Sequence, residues 1–432
     1  MMAVAALAQT PAAFRIAAND LKADVSFLAS DALEGRATPS KGLDIAAEFI
    51  ASQFRRAGLE PAGDDEYFQT AAFLSVKPNM DGLELTLDVG GKKIAVDPAS
   101  MAFNPQVAAR LDDVPVLREG LSLTSSAIAI RIASQAPRGM PGRATLRDAS
   151  TPAPTAPAVV VWDAAVREAL AAAPGAEVKV AARIPAPAVE PVKLHNVAAI
   201  LRGSDAALQD TYLVLTAHYD HLGIRPNGEG DRIYNGANDD ASGTASLIEI
   251  ARALASLPEK PKRSIVFIAL FGEELGEIGS LYYVRHPLFP LAKTIADINL
   301  EQLGRTDGSE GPKAGQFNLT GFSYTTLAAT FEKAAEEAGV RAVNDQPSGD
   351  AYFARSDNAR FADAGVPSTT ASVTYMFPDY HAVGDEWPKL DYANMAHVDG
   401  ALALAAFRLA DSLDAPRWNA GNPNTARYMK AR

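Results

Sequence analysis

Two continuous apolar runs restrict the possible folds of this chain more strongly than any other feature. Tyr212–Ala217 and Ser264–Phe271 are almost entirely apolar, a pattern typical of parallel strands that are buried on both faces of a sheet. Apolar residues recur at helical spacing in Ser246–Leu257, which lies between them, and again in Tyr324–Ala338 and Val398–Leu413. We therefore predict an α/β fold, with helices flanking a mostly parallel mixed sheet. Sites in such sheets form at the carboxyl ends of the strands.

The chain changes in character along its 432 residues, a length that suits two or three domains. Residues 20–80 are mainly helical in pattern and predict the N-terminal part of the α/β domain. Residues 81–190 predict an inserted, smaller β-rich domain, because apolar residues alternate on either side of Gly90-Gly91 as in a hairpin. Pro-rich segments separate the short apolar runs that follow. The α/β domain then resumes at residue 191 and continues to residue 432.

Residues 1–19 form an N-terminal segment that begins like the remnant of a secretory signal peptide. Ala6, Leu7 and Ala8 make a small-residue cleavage pattern before Gln9, although no basic stretch precedes it. The pattern predicts an exported protein, periplasmic or secreted. The alternative is an ordinary Ala-rich N-terminus.

Composition excludes several classes of partner and site. The net charge is −12 and no Lys/Arg-rich run occurs, so nucleic acid and anionic membrane surfaces are poor partners. No stretch approaches the roughly 20 apolar residues that a membrane span requires. Because the chain has no cysteine, any metal must be held by His, Asp and Glu. The oligomeric state is not determined by these features.

Three polar segments lie where the strands should end. Ala217–His221 places a histidine two residues before an aspartate, a spacing at which the carboxylate can orient a metal-bound imidazole. Phe271–Glu274 ends in adjacent carboxylates, which repel each other unless a cation or a proton separates them. Gly236–Gly243 is a polar loop that enters a helix. Taken singly, the second and third could be a solvated acidic loop and a helix cap.

Together, the runs AHYDHLG, GANDDASG and FGEELGEIGS resemble the two-zinc aminopeptidase family. That family includes exported bacterial aminopeptidases and, more distantly, glutamate carboxypeptidases and glutaminyl cyclases. Asn299–Arg305 and the Tyr380-His381 pair followed by Asp385 also match. The resemblance covers residues 192–410 and extends more loosely to Leu28–Gln69. Exported members have a protease-associated (PA) domain inserted where residues 81–190 lie, so we expect a PA-like domain there.

The resemblance implies two Zn²⁺ ions and five protein ligands. His218 and Glu301 would hold one ion, Glu274 and His381 would hold the other, and Asp239 would bridge both. Such imidazole and carboxylate ligands are typical of catalytic zinc, and two metals can share one carboxylate and one water. The family also implies a cis peptide bond between Asp239 and Asp240.

Three further residues receive catalytic roles from the same resemblance. Glu273 would be the general base, Asp220 would orient His218, and Tyr380 would donate a hydrogen bond to the developing oxyanion. The expected activity is that of an aminopeptidase acting on a peptide or aminoacyl substrate. A carboxypeptidase, a dipeptidase or a glutaminyl cyclase could use the same site. An inactive binding protein is a further alternative, but it should have lost at least one of these residues.

Some residues depart from the family pattern or lack a role in it. Glu301 stands where an aspartate is usual, and Asp297, four residues earlier, is its rival as a ligand. Asn358 replaces the more common His or Tyr, which should alter the substrate pocket more than the metal site. His221 could line the site or bond to a ligand carboxylate. The remaining histidines are expected to be structural: His195, His286 and His397.

Overall fold

A computed structural model describes residues 10–104, 106–135, 144–309, 311–345 and 348–431. Its contacts divide the chain into two compact units. The larger unit contains the described residues of 1–71 and 194–432, and the smaller unit contains Ala72–Lys193. The cleavage pattern at residues 6–9 lies outside the described residues.

The described part of the chain contains nine α-helices. They are α1 (Ala18–Leu28), α2 (Lys41–Arg56), α3 (Ala164–Ala172), α4 (Ser242–Ala255), α5 (Ile278–Arg285), α6 (Ala328–Ala338), α7 (Ser348–Tyr352), α8 (Asn358–Asp363) and α9 (Tyr392–Asp411). None of these helices is both long enough and apolar enough to cross a bilayer.

The strands, in chain order, are β1 (Glu60–Pro61), β2 (Phe68–Lys77), β3 (Glu84–Val89), β4 (Lys92–Ala95), β5 (Met101–Asn104), β6 (Ala109–Glu119), β7 (Ser122–Thr124), β8 (Ala129–Ile132), β9 (Thr145–Asp148), β10 (Ala158–Val161), β11 (Val178–Ile184), β12 (Ala188–Leu201), β13 (Tyr212–His218), β14 (Gly223–Ile224), β15 (Ile233–Tyr234), β16 (Ser264–Leu270), β17 (Thr294–Leu300), β18 (Asp307–Gly308), β19 (Gly311–Pro312), β20 (Gln316–Leu319), β21 (Arg341–Val343) and β22 (Ser368–Ser372).

The main sheet of the larger unit is mixed, with a parallel centre. Its strands lie in the order β21-β20-β22-β17-β13-β16-β12. Strand β13 is parallel to both β16 and β17, and β17 is parallel to β22, whereas β12 and β20 run antiparallel to their neighbours β16 and β22. Every residue of β13, β16 and β17 is buried. The predicted α/β fold with a mostly parallel mixed sheet is confirmed.

Helices cover both faces of this sheet. On one face Val214, Val266 and Ile268 belong to an apolar core that includes Tyr283 of α5 and Phe361 of α8. Because side chains alternate along a strand, the residues between them point to the other face. There α4 and α9 pack against β13. Burial on both sides explains why these strands are continuously apolar.

The order of the strands determines where the larger unit can bind a ligand. Strand β16 lies on one side of β13 and β17 lies on the other. The strand order therefore reverses after β16: the chain moves from β13 to β16 in one direction and then returns to the other side of β13 with β17. The carboxyl ends of β13, β16 and β17 meet at this reversal, which is the point at which open α/β sheets bind their ligands.

The smaller unit is built around an eight-stranded sheet in the order β4-β3-β11-β6-β7-β8-β10-β5. Strands β3 and β4 form the hairpin that the sequence predicts, with Gly90 and Gly91 at positive φ in the turn. The core of the unit contains Leu87, Leu123 and Val180, with residues of α3 packed among them. This unit therefore has an apolar core of its own.

Candidate metal centre

Three strand ends supply side chains to one site. His218 is the last residue of β13, and Glu301 directly follows β17. Beyond β16, Gly272 has a left-handed conformation (φ +70°) and is followed by Glu273 and Glu274. Since the three strands are parallel neighbours, these residues lie at the same edge of the sheet.

Asp239 reaches this edge from the loop before α4. It lies in a π-helical turn, Ala237–Ala241, and the peptide bond between Asp239 and Asp240 is cis, as the family resemblance implies. The turn requires glycine at position 236, where φ is +56° and a Cβ atom would lie 2.3 Å from the carbonyl oxygen of Asp239. The Gly-flanked loop therefore presents a carboxylate to the strand ends.

All five predicted metal ligands meet at this site. The ligand atoms of His218, Asp239 and Glu301 lie within 4.8 Å of one another. Nε2 of His381 lies 3.1 Å from Oδ2 of Asp239 and 3.4 Å from Oε2 of Glu274. Asp239 contacts both sets, which is the arrangement that a bridging ligand requires.

His221, whose role the sequence leaves open, also belongs to this site. Its Nδ1 atom lies 2.7 Å from Oε1 of Glu274, and its side chain is fully buried. With Asp239 and Glu274 it forms a second group of potential ligand atoms within 4.8 Å of one another. His221 therefore contacts a predicted ligand carboxylate, one of the two roles considered for it.

The site fits divalent cations because several of its buried polar atoms have no other partner. Among the described residues, no hydrogen bond is made by Nε2 of His218, Oε2 of Glu301 or Nε2 of His221. Each unpaired buried polar atom costs roughly 1–3 kcal/mol. Imidazole nitrogens and carboxylate oxygens are the donors that zinc accepts, so metal ions would satisfy these atoms.

Charged groups within the site shift one another's pKa values. Burial favours the neutral form of Asp239, but His218 and His381 outweigh it and hold the pKa of Asp239 well below its usual range. Burial also disfavours the charged form of His381, yet Asp239 and Glu274 raise the pKa of His381 to about 10. Since zinc needs a neutral imidazole, metal ions and protons compete for these histidines.

Asp220 connects two functional residues. Its Oδ1 atom lies 3.5 Å from Nδ1 of His218 and accepts a hydrogen bond of 3.0 Å from the backbone N–H of Glu273. Its Oδ2 atom accepts a bond from the hydroxyl of Thr38. A carboxylate in this position can orient the imidazole, as the resemblance implies.

Asp385 has a positioning contact that the sequence does not reveal. Its carboxylate accepts hydrogen bonds of 3.0 Å from the backbone N–H groups of Asn238 and Asp239. It is completely buried and fixes the turn that carries the bridging carboxylate. Spacing alone gives no signal for this contact, because the two segments are about 146 residues apart.

Arg36 is a second residue whose importance is visible only in the structure. Its guanidinium is buried and donates to the carbonyl oxygens of Leu28, Tyr219, Asn235 and Gly236. Tyr219 follows His218, and Gly236 precedes the turn that carries Asp239. Burial lowers the pKa of Arg36 to about 10, so it stays charged at neutral pH.

Replacing Arg36 with Met should weaken both folding and metal binding. The variant leaves four carbonyl groups without their donor, and we expect the free energy of unfolding of the metal-free protein to fall by about 3 kcal/mol or more. Zinc affinity, measured by competition with a chromogenic chelator, should also fall, because two ligand segments lose their common anchor.

Arg263→Met is the matched control for this prediction. Arg263 is also buried and donates to the carbonyl oxygens of Ser412 and Leu413, but it precedes β16 at the opposite edge of the sheet. This variant should lose stability while keeping its zinc affinity. An equal loss of zinc affinity in both variants would contradict a specific role for Arg36.

The remaining predictions concern residues outside the metal groups. Asp297 lies within β17, where its Oδ1 accepts a bond from Thr216, and it belongs to neither group. Asn358 is not among the described residues that line the cavity beside the metal groups. It is buried and bonds to the carbonyl oxygen of Phe353 and the hydroxyl of Thr370. The other three histidines also lie outside both groups: His195, His286 and His397.

Comparison with known proteins agrees with this geometry. The family model for peptidase family M28 matches residues 196–406. A probable zinc metalloprotease of Pyrenophora tritici-repentis is 35% identical over 172 residues, which are 39% of this chain and 33% of that protein. Aminopeptidase YwaD of Bacillus subtilis is 33% identical over 155 residues, which are 36% of this chain and 30% of that protein. The chain thus matches about a third of the length of these curated relatives.

The fold also resembles a solved structure. The aminopeptidase from Aneurinibacillus sp. strain AM-1 superposes with a TM-score of 0.56 at 19% sequence identity, and the alignment covers 94% of this chain and 99% of that one. At this identity the likeness concerns the fold alone. The five residues that meet at the strand ends all lie within the segment that the family model matches. Residues 196–406 of this chain thus match peptidase family M28, the two-zinc aminopeptidase family that its motifs resemble.

Proposed function

We propose that this chain is a dizinc aminopeptidase, an exopeptidase that hydrolyses the N-terminal bond of a peptide or aminoacyl substrate. The observation that carries the proposal is the convergence of two ligand groups on Asp239, with Glu273 next to the ligand Glu274 in the chain. Its similarity to aminopeptidase YwaD supports the choice of substrate end.

Some residues of the site would bind the metal ions, and others would transfer protons. His218 and Glu301 would hold one zinc ion, Glu274 and His381 the other, and Asp239 both. When bound, the zinc ions supply Lewis-acid polarisation of the scissile carbonyl and lower the pKa of water. The proton transfers and the hydrogen bonds to the reacting group then fall to the protein.

Glu273 is suited to accept and return a proton. Burial raises the pKa of Glu273, and the neighbouring charges of Glu301 and Glu274 raise it further. A raised pKa makes a carboxylate a stronger base, and the proton that it accepts can pass to the leaving amine. Its backbone is fixed by the bond to Asp220.

Tyr380 is suited to donate a hydrogen bond to the oxyanion. Its ring stacks on that of His381, with centroids 4.0 Å apart and an interplanar angle of 19°. Burial and the carboxylates of Asp239 and Glu301 raise the pKa of Tyr380. The hydroxyl therefore remains protonated, as an oxyanion donor must.

Hydrolysis of a panel of aminoacyl p-nitroanilides, with N-acetylated versions as controls, tests this function. We expect cleavage of the free amino forms only, two zinc ions per chain on the same sample, and loss of activity on chelation that zinc reverses. Removal of the ions withdraws an essential Lewis acid, so the residual rate should be below about 1%. Chelator-resistant hydrolysis, or equal cleavage of the N-acetylated substrates, would contradict the proposal.

A further inference from the structure

A cavity adjoins the metal centre and has an unusual lining for an apolar substrate. Ten of the described residues line it, and Glu301 and Tyr380 are among them, so it opens onto the site of reaction. Each of these ten has a polar or aromatic side chain, and none of them is aliphatic. Burying an apolar side chain gains most against apolar walls, so this cavity favours a polar substrate group.

The charge of the cavity is set by Arg355. The other charged residue of its lining is Glu301, whose charge is offset when it holds a metal ion. Within the described part of the chain, Arg355 makes no ion pair, although Arg360, five residues later, pairs with Glu277 at 2.7 Å. Arg355 thus brings an uncompensated positive charge to the cavity.

Arg355 is exposed to solvent, but an aromatic contact restricts its guanidinium before any ligand binds. Its guanidinium lies over the ring of Tyr352, 4.8 Å from the centroid, and Tyr352 stacks on Tyr375. The next residue, Ser356, is buried and accepts a hydrogen bond of 2.7 Å from Asn299. An arginine fixed in this way loses less conformational entropy when it pairs with a carboxylate.

Gln302 supplies a second, independent indication of a ligand. Its side chain lines the cavity, is only 5% exposed and donates from Nε2 to Glu301 at 3.2 Å. Its Oε1 atom is buried without a hydrogen-bond partner. The cavity therefore has an unpaired acceptor near the metal ligands as well as the cation of Arg355.

We propose that this cavity binds a carboxylate of the substrate and that Arg355 is the residue that selects it. A substrate residue that carries both an N–H donor and a carboxylate suits these two groups. Its N–H can donate to Oε1 of Gln302, and its carboxylate can pair with Arg355. The inference rests on the proposed function and names its substrate class: peptides with N-terminal Glu or Asp. The same chemistry could come from the free C-terminus of a dipeptide, which the experiment must distinguish.

The test compares kcat/KM for matched charged and neutral substrates. Glutamyl and glutaminyl p-nitroanilides differ in the side-chain carboxylate, whereas Leu-Ala and Leu-Ala-amide differ in the terminal carboxylate. We expect the native protein to prefer the glutamyl substrate at least about tenfold, as for a charge-assisted pair. Arg355→Gln should reduce the preference to near one, and Arg355→Glu should reverse it in favour of a lysyl substrate.

Arg341→Gln is the control, because Arg341 is an exposed arginine on β21 that bonds to Gln316 outside the cavity. This variant should leave the kcat/KM ratio of each matched substrate pair unchanged. Loss of preference in the dipeptide pair alone would assign the carboxylate to the C-terminus. If Arg355→Gln leaves both ratios unchanged while leucyl amide is still cleaved, the inference fails and the aminopeptidase proposal stands.

A binding measurement separates the two proposals completely. Calorimetry with L-glutamate and L-glutamine on the native protein and on Arg355→Gln needs no turnover. Weaker binding of glutamate by at least about tenfold in the variant, with glutamine unchanged, supports the inference even if no amide is hydrolysed. Equal binding of glutamate by both proteins would overturn it.

Discussion

Glu273→Gln should lower kcat by at least about two orders of magnitude while leaving two zinc ions bound, because general-base catalysis contributes roughly 10²–10⁴-fold. The amide has nearly the shape of the carboxylate but cannot accept the proton. Glu273 belongs to neither group of potential ligand atoms, so its replacement should not release metal. The measurements are kcat on the best aminoacyl p-nitroanilide and zinc content by mass spectrometry on the same preparation.

Glu277→Gln is the matched control for this prediction. Glu277 lies four residues further along the same loop, where it pairs with Arg360 rather than with the metal centre. The control removes the same charge and should change kcat by less than about threefold, because most ion pairs near the protein surface contribute little free energy. A Glu273→Gln protein that keeps its rate, or that loses zinc in proportion to its rate, would contradict the role of Glu273 as base.

The central strands could be predicted because burial on both faces leaves a clear mark in the sequence. A strand covered on two sides must be apolar throughout, and β13 and β16 begin at the first residues of the predicted runs. The ends of the flanking helices were less predictable. Helix α6 begins four residues after Tyr324, because the preceding segment pairs at Thr325 with Trp418 near the C-terminus. Helix α9 begins before its apolar stripe, where Asp391 caps it.

The candidate ligands could be named because each follows a predictable strand or a Gly-flanked loop. The residues that hold those ligands in place could not be predicted from the sequence. Arg36 bonds to carbonyl groups nearly 200 residues away, and Asp385 bonds to backbone N–H groups about 146 residues away. Any residue type offers such carbonyl and N–H groups, so their partners leave no pattern in the sequence. Tertiary structure alone brings them together.

Asp239→Asn should have the largest effect on metal content, because Asp239 is the residue that both ligand groups share. An amide has no charge to share between two cations and directs N–H donors toward one of the histidines. We expect fewer than one zinc ion per chain after dialysis and a fall in kcat/KM of about 10³-fold or more, well beyond the 10–100-fold typical of an outer residue. Zinc analysis and near-UV circular dichroism on the same sample separate metal loss from unfolding.

Asp297→Asn makes the same chemical change at a second buried aspartate and completes the test. Asp297 accepts a hydrogen bond from Thr216 within β17, and burial, which disfavours the charged form, raises the pKa of Asp297. An amide should therefore replace it with little cost, and both zinc ions should remain. If Asp297→Asn released an ion, Asp297 rather than Glu301 would be the ligand that follows from β17. If Asp239→Asn retained both ions, Asp239 could not be the bridging ligand. The proposed two-metal site would then have no residue shared by both ligand groups.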